Sequence, residues 1–406
     1  MKCGLLGEKL GHSYSPQIHA ELADYEYRLY EKAPDALEDF VRNGDWHGLN
    51  VTIPYKKTVM TFCDELSETA ASIGSVNTLL RREDGTIFGD NTDAFGFETL
   101  LTQTIPDSIT GQKALVLGTG GASVTVCAVL RRHGAEVVTI SRSGENNYDN
   151  LDRHADAKLL VNTTPVGMYP KNGVSPVDLG VFPKLKCVLD VVYNPARTAL
   201  LLQAEARGIP HAGGLTMLVA QAKRSSEIFL GKPLPDGEIP RITKLLSSSM
   251  QNIILVGMPG SGKSTVGKLL AKRLERPLLE ADAELVRTAG IKIPAIFENE
   301  GEAGFRRRET ATLAELGKRS GAVISTGGGC VTRPENYPLL HQNGTIIWLK
   351  RDLDKLAREG RPLSLNADLS AMYAVRRPLY AHFADFSVEN TGTPEETVDA
   401  IMEVLK

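Results

Sequence analysis

Short apolar runs alternate with stretches of helical periodicity along residues 1–245. The runs KCGLLG, YEYRLYE and GLNVTI are each followed by such a stretch, near residues 17–23, 34–42 and 56–63. Strands that alternate with helices are typical of α/β proteins with a parallel sheet. We therefore predict an α/β fold for this part of the chain.

A glycine-rich turn follows the strand KALVL in the middle of this region. Gly118, Gly120 and Gly121 lie on the turn, and a helix over 124–132 and a second strand, AEVVTISR, come after it. This spacing, GxGGxS, is a shifted form of the dinucleotide fingerprint GxGxxG. An NAD site needs a carboxylate at the end of the second strand, where this chain has Arg142. Because arginine can pair with a 2′-phosphate, we predict NADP; the alternative is that Arg142 is only a solvated residue at a strand end.

Four loops of the N-terminal region place polar residues where an α/β core needs apolar ones. They are HSYSP with Ser13 and Ser15, NVTIPYKK with Asn50, Thr52 and Lys56, GSVNT with Asn77, and GDNTDAFGF with Asp93. A single such residue is most often a cap or turn former. Four clusters near predicted strand ends indicate a ligand site, because open α/β sheets bind ligands there.

These loops, together with the GTGGA turn, NTTPVGM, DVVYNPART and GLTMLVAQA, resemble the successive motifs of shikimate dehydrogenase. The resemblance covers residues 1–240 or so and keeps the order of the family. It implies a substrate lobe of residues 1–96 plus 216–245 and a Rossmann-like NADP lobe of residues 97–215. It assigns substrate binding to Ser13, Ser15, Asn50, Thr52, Asn77 and Gln221, catalysis to Lys56 and Asp93, and NADP binding to Gly118, Gly120, Gly121, Arg142 and Gly214.

The Lys56–Asp93 pair also makes chemical sense without the resemblance. Hydride transfer to a ketone leaves charge on the oxygen, and a positioned acid such as a lysine ammonium can supply the proton. The chain departs from the family at Ala20, where asparagine is frequent, and at Ser141-Arg142-Ser143, where a triplet like NRT is frequent. Activity on quinate as well as shikimate stays open as an alternative.

A second strand, loop and helix begin at residue 253 with IILVGMPGSGKST, which fits GxxxxGK[ST]. Such a loop aims backbone N–H groups and a helix N-terminus at a polyphosphate. We predict that Gly260, Gly262, Lys263, Ser264 and Thr265 bind a nucleoside triphosphate, ATP or GTP. Lys263 would reach the phosphates and Ser264 would ligate Mg²⁺.

The segments after this loop resemble shikimate kinase. They are LLEADAELV, FRRRE, the GGG of STGGGC, GRPL and RRPLY. The resemblance implies a P-loop α/β domain like the nucleoside-monophosphate kinases. It places Asp282, Arg306, Gly328, Gly329 and Arg376 on shikimate, makes Asp282 catalytic together with Lys263, and closes Arg361 over ATP. The chain departs from the family at Glu280, which stands where the first acid of FxDxD is expected and which affects contacts to Mg²⁺.

Composition fits two fused enzymes that act on small molecules. The chain has 406 residues, more than one core usually organises. The serine-rich stretch LLSSSMQN predicts a linker at 246–251 before a domain of residues 252–406. A net charge of -3 gives no field for nucleic acid or an anionic membrane. The five scattered cysteines and the lack of a long apolar segment predict a soluble cytoplasmic protein. Its oligomeric state stays open.

The two resemblances together predict a bifunctional enzyme. NADPH-dependent reduction of 3-dehydroshikimate would give shikimate, and ATP would then phosphorylate the 3-hydroxyl of shikimate. An alternative is that one half is a non-catalytic binding or regulatory module. The reactive side chains Lys56, Asp93, Lys263 and Asp282 argue against it, since a silent half need not keep them.

Overall fold

The structure is a computed structural model that describes residues 1–11, 13–357 and 368–405. The chain forms two compact units. The first contains Met1–Met168, Val174–Tyr193 and Leu200–Leu246, and the second contains Tyr169–Gly173, Asn194–Ala199 and Ser247–Lys406. The first unit holds two sheets and the second holds one, so the predicted α/β class is confirmed.

The first sheet is mixed. Its strands are β1 (Lys2–Gly7), β2 (Glu26–Glu31), β3 (Gly48–Val51), β4 (Glu65–Leu66), β5 (Thr78–Arg81) and β6 (Ile87–Asp90), in the order β2-β1-β3-β5-β6-β4. Strand β1 is parallel to β2 and β3, but β5 is antiparallel to β3 and β6. The parallel arrangement that we predicted fails at β5 and β6. For the β5–β6 pair the reason is that the connection over residues 82–86 is too short for a parallel crossover.

The second sheet is fully parallel. Its strands are β7 (Lys113–Leu117), β8 (Glu136–Ile140), β9 (Leu159–Asn162), β10 (Cys187–Asp190) and β11 (His211–Ala212), in the order β11-β10-β9-β7-β8. The chain leaves β7 toward β8 on one side and continues with β9 on the other side. This reversal forms a crevice at the carboxyl end of β7, which is where such sheets bind ligands.

Eight helices are described between residue 15 and residue 250. They are α1 (Ser15–Leu22), α2 (Leu37–Asn43), α3 (Glu68–Ile73), α4 (Thr92–Thr104), α5 (Gly121–Arg132), α6 (Ala199–Ala206), α7 (Leu215–Leu230) and α8 (Glu238–Met250). The helix predicted near residues 56–63 is instead a short 3₁₀ helix, Thr58–Phe62. A Cβ on Gly96 would lie 2.6 Å from the carbonyl oxygen of Met217, so this glycine lets α4 and α7 pack closely.

The third sheet, in the second unit, is also parallel. Its strands are β12 (Asn252–Val256), β13 (Leu278–Glu280), β14 (Val323–Ser325), β15 (Gly344–Lys350) and β16 (Phe386–Glu389), in the order β13-β14-β12-β15-β16. The helices around it are α9 (Lys263–Arg273), α10 (Ala281–Ala289), α11 (Ile293–Leu316), α12 (Asn336–His341), α13 (Leu369–Phe383) and α14 (Pro394–Val404). Strand β12 is central and buried, so the loop that follows it lies at the middle of the sheet's carboxyl edge.

The segment predicted as a linker at 246–251 is mostly helical. Helix α8 continues to Met250, and β12 begins at Asn252. Ile239, Ile242, Leu246 and Met250 are buried, and their spacing of three and four residues is that of one helix face. The three serines at 247–249 suggested flexibility, whereas this apolar spacing decides the structure.

Candidate active sites

The predicted catalytic pair of the first unit is assembled at the carboxyl end of β3. Lys56 lies in the loop after that strand, and Asp93 lies in the first turn of α4, which Asn91 caps. The Nζ of Lys56 donates a hydrogen bond of 2.5 Å to Oδ2 of Asp93. The two side chains are 20% and 13% exposed, so water screens their attraction less than at an open surface. A small ligand can therefore still reach an ammonium group whose position is fixed.

Two predicted substrate-binding amides are held beside this pair. The Oδ1 of Asn77 accepts from the backbone N–H of Thr92 at 2.7 Å and from the hydroxyl of Thr78 at 3.1 Å. The Nδ2 of Asn50 donates to the same Thr78 hydroxyl at 3.4 Å. Both asparagines are almost completely buried. Because Thr92 directly precedes Asp93, a continuous set of contacts connects these amides with the predicted catalytic carboxylate.

The remaining predicted substrate residues lie around this centre. The hydroxyl of Ser13 accepts from the backbone N–H of Ser15 at the start of α1. Thr52 follows β3, and its backbone N–H donates to the carbonyl of Leu6. Gln221 lies on α7 opposite Gly96, where a Cβ would be 3.1 Å from its own Cβ. Since Gly96 is one turn after Asp93 on α4, Gln221 faces the same end of the site.

A buried aromatic layer behind these residues was missed by the sequence analysis. The hydroxyl of Tyr27 donates to Oδ1 of Asn50 at 2.8 Å and also interacts with the Ser15 hydroxyl. The Tyr27 ring stacks on His19 with 3.9 Å between centroids. Burial lowers the pKa of His19 to about 3, so its imidazole is neutral. Nothing in the sequence separates Tyr27 from other strand tyrosines.

The glycine turn after β7 has the form of an anion site. Gly118 has φ +106°, and a Cβ there would lie 2.9 Å from Thr164. By contrast, a Cβ on Gly120 or Gly121 would meet nothing within 4 Å. These two glycines begin α5 and leave open space at its N-terminus. The residues present therefore fit a dinucleotide pyrophosphate.

Arg142 lies two residues beyond the end of β8 and is exposed. Within the described part of the chain, no carboxylate forms an ion pair with it. The exposed guanidinium stays a predicted contact for a 2′-phosphate.

Gly214 is required by packing. It caps the start of α7, and a Cβ there would lie 2.1 Å from the carbonyl oxygen of Val191. This close approach explains the glycine at that position whether or not the cofactor contacts it.

The loop after β12 is closed by Lys263. Gly260 and Gly262 have φ values of +86° and +94°, which favour glycine. The Nζ of Lys263 donates to the carbonyls of Gly257 and Met258 at 2.9 and 3.0 Å, and its side chain is buried. Ser264 and Thr265 are exposed in the first turn of α9. The loop thus leads into a helix N-terminus with two exposed hydroxyls, and its lysine is bonded back to the loop's own carbonyls; these groups fit a nucleoside triphosphate.

The predicted shikimate-binding residues of the second unit also come together. A Cβ on Gly329 would lie 2.3 Å from the guanidinium of Arg306, and one on Gly327 would lie 3.2 Å from Oδ1 of Asp282. Arg376 donates to the carbonyl of Gly328 at 3.3 Å. The glycine loop is therefore lined by two guanidinium groups and a carboxylate.

Glu309 is an unassigned carboxylate in this site. Its Oε2 accepts a 2.7 Å hydrogen bond from Arg306. Burial raises the pKa of Glu309, although the guanidinium acts in the opposite direction. The pair fixes Arg306 with its nitrogens against Gly329, so that its direction is set before a ligand arrives.

Two predictions for the second unit meet less structural support. Arg361 lies outside the described residues. Glu280 caps α10, whose first turn contains Asp282.

In the described part of the chain, no group of three or more histidine, cysteine or acidic side chains could hold a metal ion. Mg²⁺ commonly binds through few protein ligands together with substrate phosphates, so the Ser264 hydroxyl beside the phosphate loop fits it.

Comparisons with known proteins match the two halves of the chain to different proteins. A family model described as "Shikimate dehydrogenase substrate binding domain" matches residues 5–79, and one described as "Shikimate kinase" matches residues 259–406. The chain is 35% identical over 257 residues to the shikimate dehydrogenase (NADP(+)) of Caldanaerobacter subterraneus subsp. tengcongensis, covering 56% of this chain and 91% of that protein. It is 46% identical over 170 residues to the shikimate kinase of Cupriavidus pinatubonensis, covering 40% of this chain and 88% of that protein.

A solved structure is similar to the first half. It is a chorismate mutase/shikimate 5-dehydrogenase fusion protein from Clostridium acetobutylicum, 36% identical with a TM-score of 0.56, and the match covers 60% of this chain and 96% of that one. The matches cover most of the length of the dehydrogenase relative and most of the length of the kinase relative. The chain therefore belongs to the shikimate dehydrogenase family through its N-terminal half and to the shikimate kinase family through its C-terminal half.

Proposed function

We propose that the two sites described above carry the two activities of this bifunctional enzyme of the shikimate pathway. The N-terminal half reduces 3-dehydroshikimate to shikimate with NADPH, and the C-terminal half phosphorylates shikimate with ATP. The observation that supports the assignment most directly is the 2.5 Å contact between Lys56 and Asp93 in one half, together with the Asp282, Arg306 and Gly329 cluster in the other.

In the dehydrogenase half, Lys56 acts as the proton donor. When bound, NADPH would supply the hydride that reduces the ketone carbon and would become NADP⁺. Lys56 gives a proton to the carbonyl oxygen as negative charge develops there, and Asp93 orients the ammonium. In the reverse direction the Lys56 amine accepts the hydroxyl proton. The substrate's carboxylate and hydroxyls are held by Ser13, Ser15, Asn50, Thr52, Asn77, Asp93 and Gln221.

The glycine turn after β7 would hold the cofactor. Gly118, Gly120 and Gly121 would allow the close approach of its pyrophosphate, and Gly214 at the start of α7 stays a predicted cofactor contact. Arg142 pairs with the 2′-phosphate, which distinguishes NADPH from NADH.

Removing the Arg142 guanidinium should weaken the binding of NADPH but not that of NADH. We expect Arg142→Ala to raise the KM for NADPH about tenfold or more, because one charge-assisted hydrogen bond is lost. The KM for NADH should stay unchanged, since NADH has no 2′-phosphate. Arg153→Ala changes another exposed arginine of the same lobe and serves as the control. Equal losses with the two cofactors would contradict the role of Arg142.

In the kinase half, Arg306 and Arg376 pair with the carboxylate of shikimate, and the backbone of Gly328 and Gly329 contacts its ring. Asp282 orients the 3-hydroxyl or accepts its proton as the new O–P bond forms and the bond to ADP breaks. Lys263 stabilises charge on the transferring phosphoryl group, with Gly260, Gly262 and Thr265 around the phosphates. Mg²⁺, held at Ser264, would neutralise phosphate charge. Arg361 stays a predicted contact to ATP.

The domain division is a proposal as well. It assigns residues 1–96 with 216–245 to the substrate lobe, 97–215 to the NADP lobe and 252–406 to the kinase. No helix among the described residues is long and apolar enough to cross a membrane. All five cysteines are free, which suits a reducing compartment, so we place the enzyme in the cytoplasm. Its proposed partners are small-molecule substrates, without nucleic acid or membrane.

A direct assay tests both activities on the full chain. Incubation with 3-dehydroshikimate, NADPH, ATP and Mg²⁺ should consume NADPH and yield shikimate 3-phosphate, which mass spectrometry detects. Accumulation of unphosphorylated shikimate would show that the kinase half is silent, and no loss of NADPH would show that the dehydrogenase half is. Replacing shikimate with quinate in the oxidative direction tests the alternative substrate.

A further inference from the structure

A buried hydroxyl lies beneath the glycine loop of the kinase half, and neither proposed mechanism uses it. Tyr380 is on α13, four residues after Arg376, and is fully buried. Its hydroxyl donates to the carbonyl of Gly328 over 2.5 Å. Arg376 donates to the same carbonyl at 3.3 Å. Residues four apart share a helix face, so one face of α13 holds this carbonyl with two donors.

The orientation of the Gly328 carbonyl also fixes the direction of the neighbouring Gly329 N–H group. The carbonyl of Gly328 and the N–H of Gly329 belong to one peptide bond, which is not among the cis bonds of the described chain. In a trans peptide these two groups point in opposite directions. Among hydrogen bonds of the described residues, none has the N–H of Gly328 or Gly329 as its donor. While Tyr380 holds the carbonyl, the Gly329 N–H therefore points away from α13 and donates to no acceptor among the described residues.

The glycines cannot fix this geometry themselves. Glycine backbones have wide conformational freedom and no side chain that would anchor them. The space beside Gly329 is taken by Arg306, and a Cβ on Gly328 would lie 2.6 Å from Pro259. Larger residues that could stiffen the loop are thus excluded. An external anchor must set the direction of the peptide.

We propose that Tyr380 is a positioning residue that orients the Gly328–Gly329 peptide toward the polyhydroxylated carboxylic acid that accepts the phosphoryl group. This inference rests on the proposed function, because it assumes that the acceptor binds on this loop. The Tyr380 ring stacks on Trp348 with 5.6 Å between centroids. Loss of the hydroxyl therefore leaves the ring packed, while it frees the peptide and removes the contact of this hydroxyl with the Arg376 side chain.

Tyr380→Phe in the full chain tests the proposal. We expect the KM for shikimate to rise about fivefold, the loss of one hydrogen bond, while the KM for ATP stays unchanged. Calorimetric titration with shikimate in the absence of ATP should show the same loss of affinity. Thr345→Val is the matched control, since it removes a buried hydroxyl that bonds Gln251 at the opposite end of the same sheet.

The possible results distinguish a failure of the positioning role of Tyr380 from a failure of the proposed kinase function. A rise of at least threefold in the KM for shikimate alone supports the positioning role. A smaller rise, an equal rise for ATP, or the same rise in Thr345→Val overturns it, because a merely structural hydroxyl would lower the melting temperature without selecting one substrate. If the wild-type chain does not phosphorylate shikimate, it is the proposed function that fails. Dehydrogenase activity and the melting temperature of each variant report folding.

Discussion

Lys56→Ala should lower kcat for the reduction of 3-dehydroshikimate by about 10²–10⁴-fold, the usual contribution of a positioned general acid. Phosphorylation of shikimate by the same chain should be unchanged. Lys56 is the ammonium within 2.5 Å of Asp93, and alanine leaves no proton donor at that position. Loss of NADPH absorbance measures the first activity, and formation of ADP in the presence of shikimate measures the second.

The adjacent lysine provides the control for this experiment. Lys57 is exposed, and Lys57→Ala removes the same charge one residue further along the chain. It should keep wild-type rates in both reactions. If Lys57→Ala reproduced the loss, a change in the general positive charge of the loop would explain it. If Lys56→Ala kept its activity, the proton would have to come from another group or from water.

The positions of the candidate catalytic lysines could be predicted because local sequence determines them. Lys56 and Lys263 each follow a buried strand, and the carboxyl ends of strands are where these sheets form clefts. The left-handed backbone at Gly260 and Gly262 is likewise a local requirement that glycine meets. Position along the chain thus indicated which residues could react.

The residues that orient these groups could not be found in this way. Tyr27 meets Asn50 across 23 positions, and Tyr380 meets Gly328 across 52. Such partners depend on the register of strands and the angle of helices, which one sequence does not show. The antiparallel pairing of β5 and β6 was not predicted either, although the connection over residues 82–86 is too short for a parallel crossover.

Lys263→Ala should have the reverse effect of Lys56→Ala. We expect kcat for phosphorylation of shikimate to fall by about 10²–10³-fold, as when one fixed donor to a developing charge is removed. NADPH-dependent reduction should continue at the wild-type rate. Formation of shikimate 3-phosphate from added shikimate and ATP measures the loss without relying on the first reaction.

Lys263 also has a structural role, and the loss of that role in Lys263→Ala must be distinguished from the loss of its charge. Its ammonium bonds the carbonyls of Gly257 and Met258, so alanine can loosen the loop as well as remove the charge. Lys268→Ala, an exposed lysine further along α9, controls for the loss of charge on that helix and should leave both activities intact. If Lys263→Ala only raised the KM for ATP and kept kcat, the lysine would bind ground state and transition state alike. A fall in kcat at saturating ATP would instead place its charge on the phosphoryl group as it is transferred.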